Sequence, residues 1–247
     1  MKHRPGTFVE PFAGGGVISL TVVAERLADK AVMVELDEQV SSVWRVILGG
    51  DAEWLARRVL DFEMSAQAVS EELAREPCSL RDTAFQTLLR NRTNHGGILA
   101  PGSGVLKYGE NGKGIASRWY PQTLAKRIRA IDGMRSSIEF IEGDGLTVTE
   151  RHLEDGRAVF FIDPPYTAGG KRAGRRLYTH HEIDHRRLFH LASRIKGDFL
   201  MTYDDAPDVR VLADTHAFDT RLVAMTNTHN AKMKELLIGR NLNWTCT

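Results

Sequence analysis

Cysteine is scarce in this chain, and its scarcity excludes two kinds of site. Among 247 residues only Cys78 and Cys246 are cysteines, and two thiols cannot build a disulfide framework or a cysteine-rich zinc cluster. The nine histidines are scattered and form no set at metal-ligand spacing. We therefore predict no metal site, and the low cysteine content is typical of a protein from a reducing compartment.

Long apolar runs are missing as well. The first residues, Met1-Lys2-His3-Arg4, are basic and polar, and no apolar segment of a secretory signal follows them. No window of the sequence is apolar enough to predict a membrane span. These absences predict a cytoplasmic protein without a membrane partner.

Charge of one sign is not in excess. The chain has 33 Lys and Arg against 32 Asp and Glu, a formal net charge of +1. This balance excludes a uniformly basic surface but allows a local basic face. The apolar content of 42% is ordinary for a globular protein, and the length suits one domain or one domain with an insertion.

The first elements predict the opening of a nucleotide-binding α/β unit. A candidate strand, Thr7–Glu10, is followed by a glycine turn at Gly14–Gly16 and a helix-like run from Val17 to about Ala28. Glycines let the backbone approach a ligand closely, and a helix N-terminus offers N–H groups and partial positive charge. The next strand, Ala31–Val34, ends in Glu35, which has the spacing of an acid that binds ribose hydroxyls. The alternative for Glu35 is a solvated acid at a strand end.

The residue pattern changes in the middle of the chain, from helical spacing to a composition typical of loops. Apolar residues at three- and four-residue spacing predict helices from Gln39 to about Leu89. Leu60 to Leu73 continues this pattern, with Pro77 as a break and Asp82 as a candidate cap. The stretch from 91 to 114 is rich in Gly, Asn and Pro, which predicts a long loop or a loop-rich hairpin.

Basic and aromatic residues are interleaved in this middle region. Between Arg75 and Arg129 there are ten Lys and Arg against three acids, with Tyr108, Trp119 and Tyr120 among them. This pattern favours phosphate contact with base stacking. A solvated helical face is the alternative, mainly for residues 126 to 129.

The second half predicts further strands and one helix. The strands are Ile138–Ile141, Ala158–Ile162, Phe199–Tyr203 and two more near 217–225 and 234–239, and the helix is 184–195. Asp144 follows the first of these strands, where its carboxylate could accept a hydrogen bond from an adenine amino group.

The strand 158–162 ends in Asp163-Pro164-Pro165-Tyr166. Two consecutive prolines rigidify the loop, and their carbonyl groups can still accept hydrogen bonds. A carboxylate, carbonyl acceptors and an aromatic ring thus stand together where open α/β sheets bind ligands. The alternative is a surface turn with a capping Asp. Four basic residues in the following segment, Lys171, Arg172, Arg175 and Arg176, are predicted to clamp an anionic polymer or else to form a solvated run.

Two of these motifs resemble those of a known family. Phe8-Val9-Glu10-Pro11-Phe12-Ala13-Gly14-Gly15-Gly16 is similar to the cofactor motif of the D12 class of adenine-N6 DNA methyltransferases, the Dam-like group, and Asp163-Pro164-Pro165-Tyr166 is similar to its catalytic motif. In that group the target-recognition region lies between the two motifs, where the basic region lies here. The similarity runs from Thr7 to about Asn241. Only Met1 to Gly6 precede the first strand, without the Gly-Gly-Lys or Gly-Ser-Lys signature of the family, so the contact to the methionine end of the cofactor is left open.

The resemblance implies a Rossmann-like, S-adenosylmethionine-dependent methyltransferase fold of the α/β class with an inserted helical and loop-rich target-recognition region. Residues 1–50 and 130–247 are expected to form the catalytic core, and residues 51–129 the insertion. The implied cofactor is S-adenosylmethionine and the implied partner is double-stranded DNA, with a restriction endonuclease as a further expected partner.

The resemblance also implies a set of site residues. Those expected to act in catalysis are Asp163, Pro164, Pro165 and Tyr166. Those expected to bind the cofactor are Phe8, Glu10, Pro11, Phe12, Gly14, Gly16, Glu35, Leu36, Asp144, Gly145 and Asp163. Those expected to bind DNA are Arg90, Asn91, Arg92, Lys107, Lys113, Arg118, Tyr120, Lys171, Arg172, Arg175 and Arg176.

By this resemblance, Asp163 and the carbonyl of Pro164 accept hydrogen bonds from N6 of a flipped adenine on which Tyr166 stacks. Two alternatives stay open: an adenine-N6 RNA methyltransferase, and a catalytically impaired methyltransferase-fold module that binds nucleic acid. A glutamine or cytosine-N4 methyltransferase is less favoured, because those groups typically have Asn or Ser where Asp163 stands.

Overall fold

The computed structural model describes residues 4–100, 103–106, 109, 112, 114–165, 183–226 and 232–246. These residues form two compact units. The first contains the chain up to Leu36 and from Gly143 onwards, and the second contains Asp37–Glu142. The second unit therefore extends beyond the predicted insertion 51–129 at both ends. The assignment of functions to the two parts stays a prediction.

The strands and helices are as follows. The strands are β1 (Thr7–Glu10), β2 (Lys30–Glu35), β3 (Ile138–Glu142), β4 (Ala158–Ile162), β5 (Asp198–Asp204), β6 (Asp219–Thr226) and β7 (Lys232–Gly239). The helices are α1 (Val17–Ala24), α2 (Glu38–Val46), α3 (Ala52–Asp61), α4 (Ala66–Ala74), α5 (Leu80–Thr93), α6 (Pro121–Asp132), α7 (Gly145–His152), α8 (His185–Arg194) and α9 (Pro207–Thr215).

The sheet of the first unit is mixed. Its strands are hydrogen-bonded in the order β2-β1-β4-β5-β7-β6. The first four are parallel, and β7 runs antiparallel to both of its neighbours. Parallel strands joined by helices form a Rossmann-like α/β architecture, so the predicted fold class is confirmed. Because β1, β2, β4 and β5 point the same way, the segments that follow them meet at one edge of the sheet.

Burial explains why these segments are strands. Parallel strands covered on both faces are expected to be almost continuously apolar. Val9 of β1, Val32 of β2 and Phe160 of β4 are completely buried. Each such residue contributes about 1.5–3 kcal/mol relative to an exposed side chain, so the apolar runs that predicted these strands also provide the core.

Helix α1 ends earlier than the predicted limit near Ala28, so that limit was wrong. Arg26 adopts a left-handed conformation with φ of 54°. The amide of Leu27 donates to the carbonyl of Val22 over 2.8 Å and that of Arg26 to Val23 over 3.1 Å. These are the bonds of a Schellman motif, which usually needs glycine at the left-handed position. Because Arg26 rather than glycine occupies this position, the sequence gives no signal that α1 ends here.

The second unit is built from α2 to α6 together with β3. Its core includes Leu55 of α3, Phe85 and Leu89 of α5 and Ala125 of α6. The helical pattern predicted from Gln39 to about Leu89 is interrupted within Leu60 to Leu73, because α3 ends at Asp61 and α4 begins at Ala66. Ser65 causes the new start, since its side chain accepts a hydrogen bond from the amide of Ala68 over 3.0 Å.

The predicted cap of α5 is also corrected. Ser79 is the N-cap, and its hydroxyl oxygen accepts from the amide of Asp82 over 3.2 Å. Asp82 lies in the first turn, where its carboxylate accepts from the amide of Cys78. The two side chains therefore share the capping, in the manner of a capping box.

The glycine-rich segment after α5 begins as a hairpin. Asn94 and Val105 form an antiparallel bridge. The amide of Leu106 donates to the carbonyl of Thr93 over 2.8 Å, and the amide of His95 to that of Gly104 over 3.0 Å. The described part of this segment confirms the loop-rich hairpin. Across the described chain, no helix has both the length and the apolar character needed to cross a membrane.

Candidate functional site

The glycine turn after β1 faces open space. Gly14 and Gly16 have φ of 48° and 60°, a left-handed conformation that glycine adopts without a steric penalty. The amide of Ala13 donates to the carbonyl of Val34 over 2.8 Å, which holds the turn against β2. A Cβ atom added to Gly14 or Gly15 would meet nothing within 4 Å. The turn therefore leaves room for a ligand to approach the backbone.

Glu35 joins the ends of β1 and β2. Its Oε2 accepts a hydrogen bond from the amide of Gly14 over 2.8 Å, which fixes the carboxylate beside the glycine turn. The next residue, Leu36, leaves 46% of its surface exposed. The carboxylate of Glu35 can accept hydrogen bonds from sugar hydroxyls, and the exposed side chain of Leu36 can pack against a ring.

Glu10 lies beneath the N-terminus of α1. It is only 4% exposed, and its Oε2 accepts from the amide of Ser19 over 2.9 Å. Burial raises the pKa of Glu10, the hydrogen bond from Ser19 opposes this, and the negative charge of Asp163 adds to the rise. Glu10 therefore supports the helix start and lies within electrostatic range of Asp163.

Gly145 brings the start of α7 against the glycine-turn segment. A Cβ at this position would lie 2.2 Å from the carbonyl oxygen of Pro11, so only glycine permits this approach. The amide of Gly143 donates to the carbonyl of Glu35 over 2.9 Å, which links the same segment to β2. Pro11, Glu35 and Gly145 therefore lie on segments in contact with one another, and their role in binding the cofactor stays a prediction.

Asp144 is the N-cap of α7. Its carboxylate accepts from the amides of Leu146 and Thr147 and from the Thr147 hydroxyl over 2.6 Å. Partial burial would raise the pKa of Asp144, but these hydrogen bonds outweigh it and the pKa is lowered. The capping bonds hold the carboxylate at the start of α7. Its predicted contact with an adenine amino group stays a prediction.

Asp163 follows the last residue of β4 and is exposed, whereas Pro164 is buried and Pro165 half-buried. The hydroxyl of Thr202 donates to Oδ1 of Asp163 over 2.7 Å. The pairing of β4 with β5 explains this contact, because Ile162 lies opposite Met201. Asp163 follows Ile162 and Thr202 follows Met201, so these two residues are also neighbours. Thr202 therefore orients the carboxylate from the neighbouring strand.

The buried Tyr203 and the half-buried His185 form a pair beside this position. Tyr203 is 0% exposed, and its hydroxyl lies 3.0 Å from Nδ1 of His185. Burial raises the pKa of Tyr203, and the charge of Asp163 raises it further. Burial lowers the pKa of His185, against the charge of Asp184. Both rings therefore stay neutral near neutral pH, so a hydrogen bond rather than an ion pair holds them together.

Sequence reasoning missed these three supporting residues. It placed Thr202 and Tyr203 in a strand and His185 at a helix start, without a role in a site. For Thr202 and Tyr203 the signal is their position near the end of the strand that follows the Asp163 motif. That signal becomes informative once β5 is known to pair with β4.

The other predicted site residues are distributed as follows. Phe8 is buried and packs against Val22 and Ala31, so its ring belongs to the core. Phe12 is half-buried. Tyr166 lies outside the described residues, as do six of the predicted DNA-binding residues: Lys107, Lys113, Lys171, Arg172, Arg175 and Arg176.

The described DNA-binding candidates all lie in the second unit. Arg118 donates to the carbonyl of Asn94 over 3.1 Å, and Asn91 to that of Gly97 over 3.0 Å, so both stabilise the hairpin loop. Arg90 donates to Gln86. Tyr120 is 57% exposed at the start of α6. The described cofactor and catalytic candidates, in contrast, all lie in the first unit. Within the described part of the chain, no group of His, Cys, Asp and Glu could hold a metal ion.

Comparison with known proteins identifies no family. No protein-family model matches the chain, and no curated protein matches it in sequence. Solved structures do resemble it. An uncharacterized protein from Listeria monocytogenes serotype 4b has a TM-score of 0.43 at 10% identity, over 96% of this chain and 63% of that one.

Two further structures are named as methyltransferases. A putative RNA methyltransferase from Pyrococcus horikoshii has a TM-score of 0.39 at 13% identity, over 96% of this chain and 74% of that one. The tRNA methyltransferase TrmK from B. subtilis has a TM-score of 0.40 at 12% identity, over 96% and 62%. The chain thus spans less than two thirds of the Listeria and B. subtilis proteins. Similarity at this level does not identify a substrate.

Proposed function

We propose that this protein is an S-adenosylmethionine-dependent methyltransferase that modifies N6 of a flipped adenine in double-stranded DNA. The observation that carries the proposal is the pair formed by Asp163 and Thr202 at the edge of the sheet where the glycine turn and Glu35 also lie. The proposal includes membership of the Dam-like family, on the two motifs that resemble it.

The residues at this edge fit the cofactor. The glycine turn has open space above Gly14 and Gly15, so a ligand can reach backbone amides near the N-terminus of α1. Glu35 is held at the end of β2 by Gly14, where an acid suits ribose hydroxyls. Leu36 offers apolar surface for the adenine ring. When bound, S-adenosylmethionine supplies an electrophilic methyl group.

The role of Asp163 follows from the chemistry of the acceptor. The lone pair of adenine N6 is delocalised into the ring, so N6 is a poor nucleophile. Acceptors for its two hydrogens favour the conformer that exposes the lone pair and stabilise positive charge as it develops on N6. Asp163 and the carbonyl of Pro164 can provide these two acceptors. The rigid prolines keep the acceptors in place, which limits reorganisation during the reaction.

A neighbouring strand helps to keep the carboxylate in position. Thr202 orients Oδ1 of Asp163. Burial favours the neutral forms of Tyr203 and His185, because it raises the pKa of the Tyr203 hydroxyl and lowers the pKa of the His185 ring. Removing the base from the duplex costs a few kcal/mol, which contacts from the basic segments and stacking on Tyr166 are proposed to offset.

Labelled S-adenosylmethionine tests the proposal directly. The purified protein is incubated with it and with unmethylated double-stranded DNA, single-stranded DNA or RNA of the same sequence, and the nucleosides are then separated. We expect label in N6-methyladenine from the duplex. The Asp163→Ala variant should lose at least about 10²- to 10³-fold in rate, the usual effect of removing an electrostatic stabiliser.

Asp205→Asn provides the matched control. Asp205 follows β5 at the same edge of the sheet, and its carboxylate is paired with Arg210 over 2.6 Å. We expect this variant to retain activity. Label transfer that survives Asp163→Ala would contradict the role of Asp163. Label on RNA alone would favour the RNA enzyme, and binding of nucleic acid without any transfer would favour the binding module.

A further inference from the structure

Three arginines of the second unit form a cationic cluster. Arg92 lies in the last turn of α5, Arg118 at the end of the turn 114–118, and Arg127 in the middle of α6. The charges of Arg118 and Arg127 are close enough to Arg92 to lower its pKa, in addition to the larger effect of burial. We refer to these three residues as the arginine cluster.

Arg92 is incompletely satisfied in this position. Its side chain is half-buried, and Nε is fully buried without a hydrogen-bond partner. A buried donor without an acceptor costs about 1–3 kcal/mol, and more when the group is charged. The negative charge of an anion beside the guanidinium would offset part of this cost.

Ion pairs distinguish the cluster from its neighbour Arg129. Among the ion pairs of the described residues, none involves Arg92, Arg118 or Arg127. Arg129, two residues further along α6, is in contrast paired with Glu53 over 2.8 Å. Within the described ranges, one arginine of this helix is thus paired with an acid, whereas the three arginines of the cluster are not.

Part of the cluster is already held in place. Nη1 of Arg118 donates to the carbonyl of Asn94 over 3.1 Å, and Nη2 lies against Gly97, 2.9 Å from where a Cβ would be. Gly97 has φ of 73° and is further held by Asn91. A guanidinium that is fixed before binding loses less side-chain entropy when it contacts an anion.

We propose that the arginine cluster binds a backbone phosphate of the nucleic-acid substrate. Guanidinium groups match phosphate oxygens in bidentate geometry, and the exposed ring of Tyr120, at the start of α6, is available for stacking on a base. This inference rests on the proposed function only in that it takes nucleic acid as the partner. It adds Arg127 to the contacts and places the phosphate at these three side chains.

The salt dependence of binding tests the cluster. Fluorescence anisotropy measures the affinity of the wild type and of Arg118→Ala and Arg127→Ala for a labelled duplex of about 20 base pairs at several salt concentrations. Loss of one phosphate contact should reduce the slope of log K against log salt by about one. Arg129→Ala is the matched control, and its slope should equal that of the wild type because its guanidinium is already paired with Glu53.

Arg92 needs a different substitution because it is half-buried. Arg92→Lys keeps the charge but loses the fork geometry, and thermal unfolding shows whether the variant is folded. We expect weaker binding by this variant with a slope near that of the wild type.

The outcomes separate this inference from the proposed function. A reduced slope for Arg118→Ala and Arg127→Ala without any methyl transfer would support the phosphate site and contradict the proposed enzyme. Slopes unchanged in both variants, equal losses in Arg129→Ala, or no binding of DNA or RNA by the wild type would overturn the phosphate site, whatever the activity.

Discussion

The hydroxyl of Thr202 donates a hydrogen bond to Oδ1 of Asp163 over 2.7 Å, and this bond joins β5 to the residue that follows the adjacent parallel strand β4. Thr202 is largely buried and Asp163 is exposed. The carboxylate of Asp163 is therefore oriented by a side chain of the neighbouring strand.

Replacing Thr202 with Val removes this hydrogen bond and keeps the side-chain shape. A hydrogen bond to a charged group contributes about 1.5–3 kcal/mol, so we expect kcat to fall roughly 10- to 100-fold. The affinities for S-adenosylmethionine and DNA should change little, because Thr202 is a positioning residue. Steady-state kinetics and equilibrium binding measure the two effects separately.

The Thr202→Ser variant is the control for that substitution, since it restores the hydroxyl. It should recover most of the rate. A Val variant with wild-type kcat, or a Ser variant as slow as Val, would show that the hydroxyl does not position Asp163.

Glu35→Gln is expected to weaken cofactor binding. The Gln side chain can still accept from the amide of Gly14, so the glycine turn should keep its conformation. The loss of the charge weakens hydrogen bonds to ribose hydroxyls by about 1 kcal/mol or more, which predicts a roughly 5- to 10-fold higher Kd in calorimetry. Glu25→Gln changes an exposed acid at the end of α1 and should leave the Kd unchanged. Equal Kd values for Glu35→Gln and the wild type would exclude the ribose role.

Gly145→Ala should destabilise the protein because the new Cβ would lie 2.2 Å from the carbonyl oxygen of Pro11. The backbone on both sides must shift, and overpacking of this kind costs about 1–3 kcal/mol. Urea unfolding measures the change. Gly15→Ala adds the same methyl group where nothing lies within 4 Å, and should change the free energy of unfolding much less. Similar losses in both variants would mean that close approach to Pro11 is not the cause.

The raised pKa of Glu10 leads us to expect that the stability of the protein depends on pH. Burial raises its pKa in the folded protein above the ordinary value of 4.5. Below pH 4.5 the carboxyl is protonated in both the folded and unfolded states. As the pH rises further the unfolded state loses its proton first, so stability decreases until the pH exceeds the folded pKa. The free energy of unfolding of the wild type should therefore fall relative to Glu10→Gln between acid and neutral pH.

Glu53 provides the opposite sign for comparison. Hydrogen bonds from Arg129 and Arg57 lower its pKa to about 2. Its contribution to stability is therefore present above pH 4.5 and is lost as the pH falls towards 2. Urea unfolding of the wild type, Glu10→Gln and Glu53→Gln at several pH values from about 2 to neutral measures both effects. If the stability difference between wild type and variant changes with pH in the same direction for both, the buried state of Glu10 is contradicted.

The sequence by itself determined the features that depend on short stretches of chain. Apolar runs predicted β1, β2, β4 and β5, because buried parallel strands need uninterrupted apolar side chains. Glycines that require positive φ predicted the turn at Gly14 and Gly16. The consecutive prolines after Asp163 predicted a rigid loop at a strand end.

Only the tertiary structure decided the features that depend on which distant segments meet. Thr202 contacts Asp163 because β5 pairs with β4 in one register, and Gly145 meets Pro11 because α7 begins beside the glycine turn. Arg127 and Arg129 look alike in sequence, yet Glu53 pairs with Arg129 and leaves Arg127 in the arginine cluster. Contacts of this kind depend on the packing of many side chains at once, and no local pattern of residues encodes them.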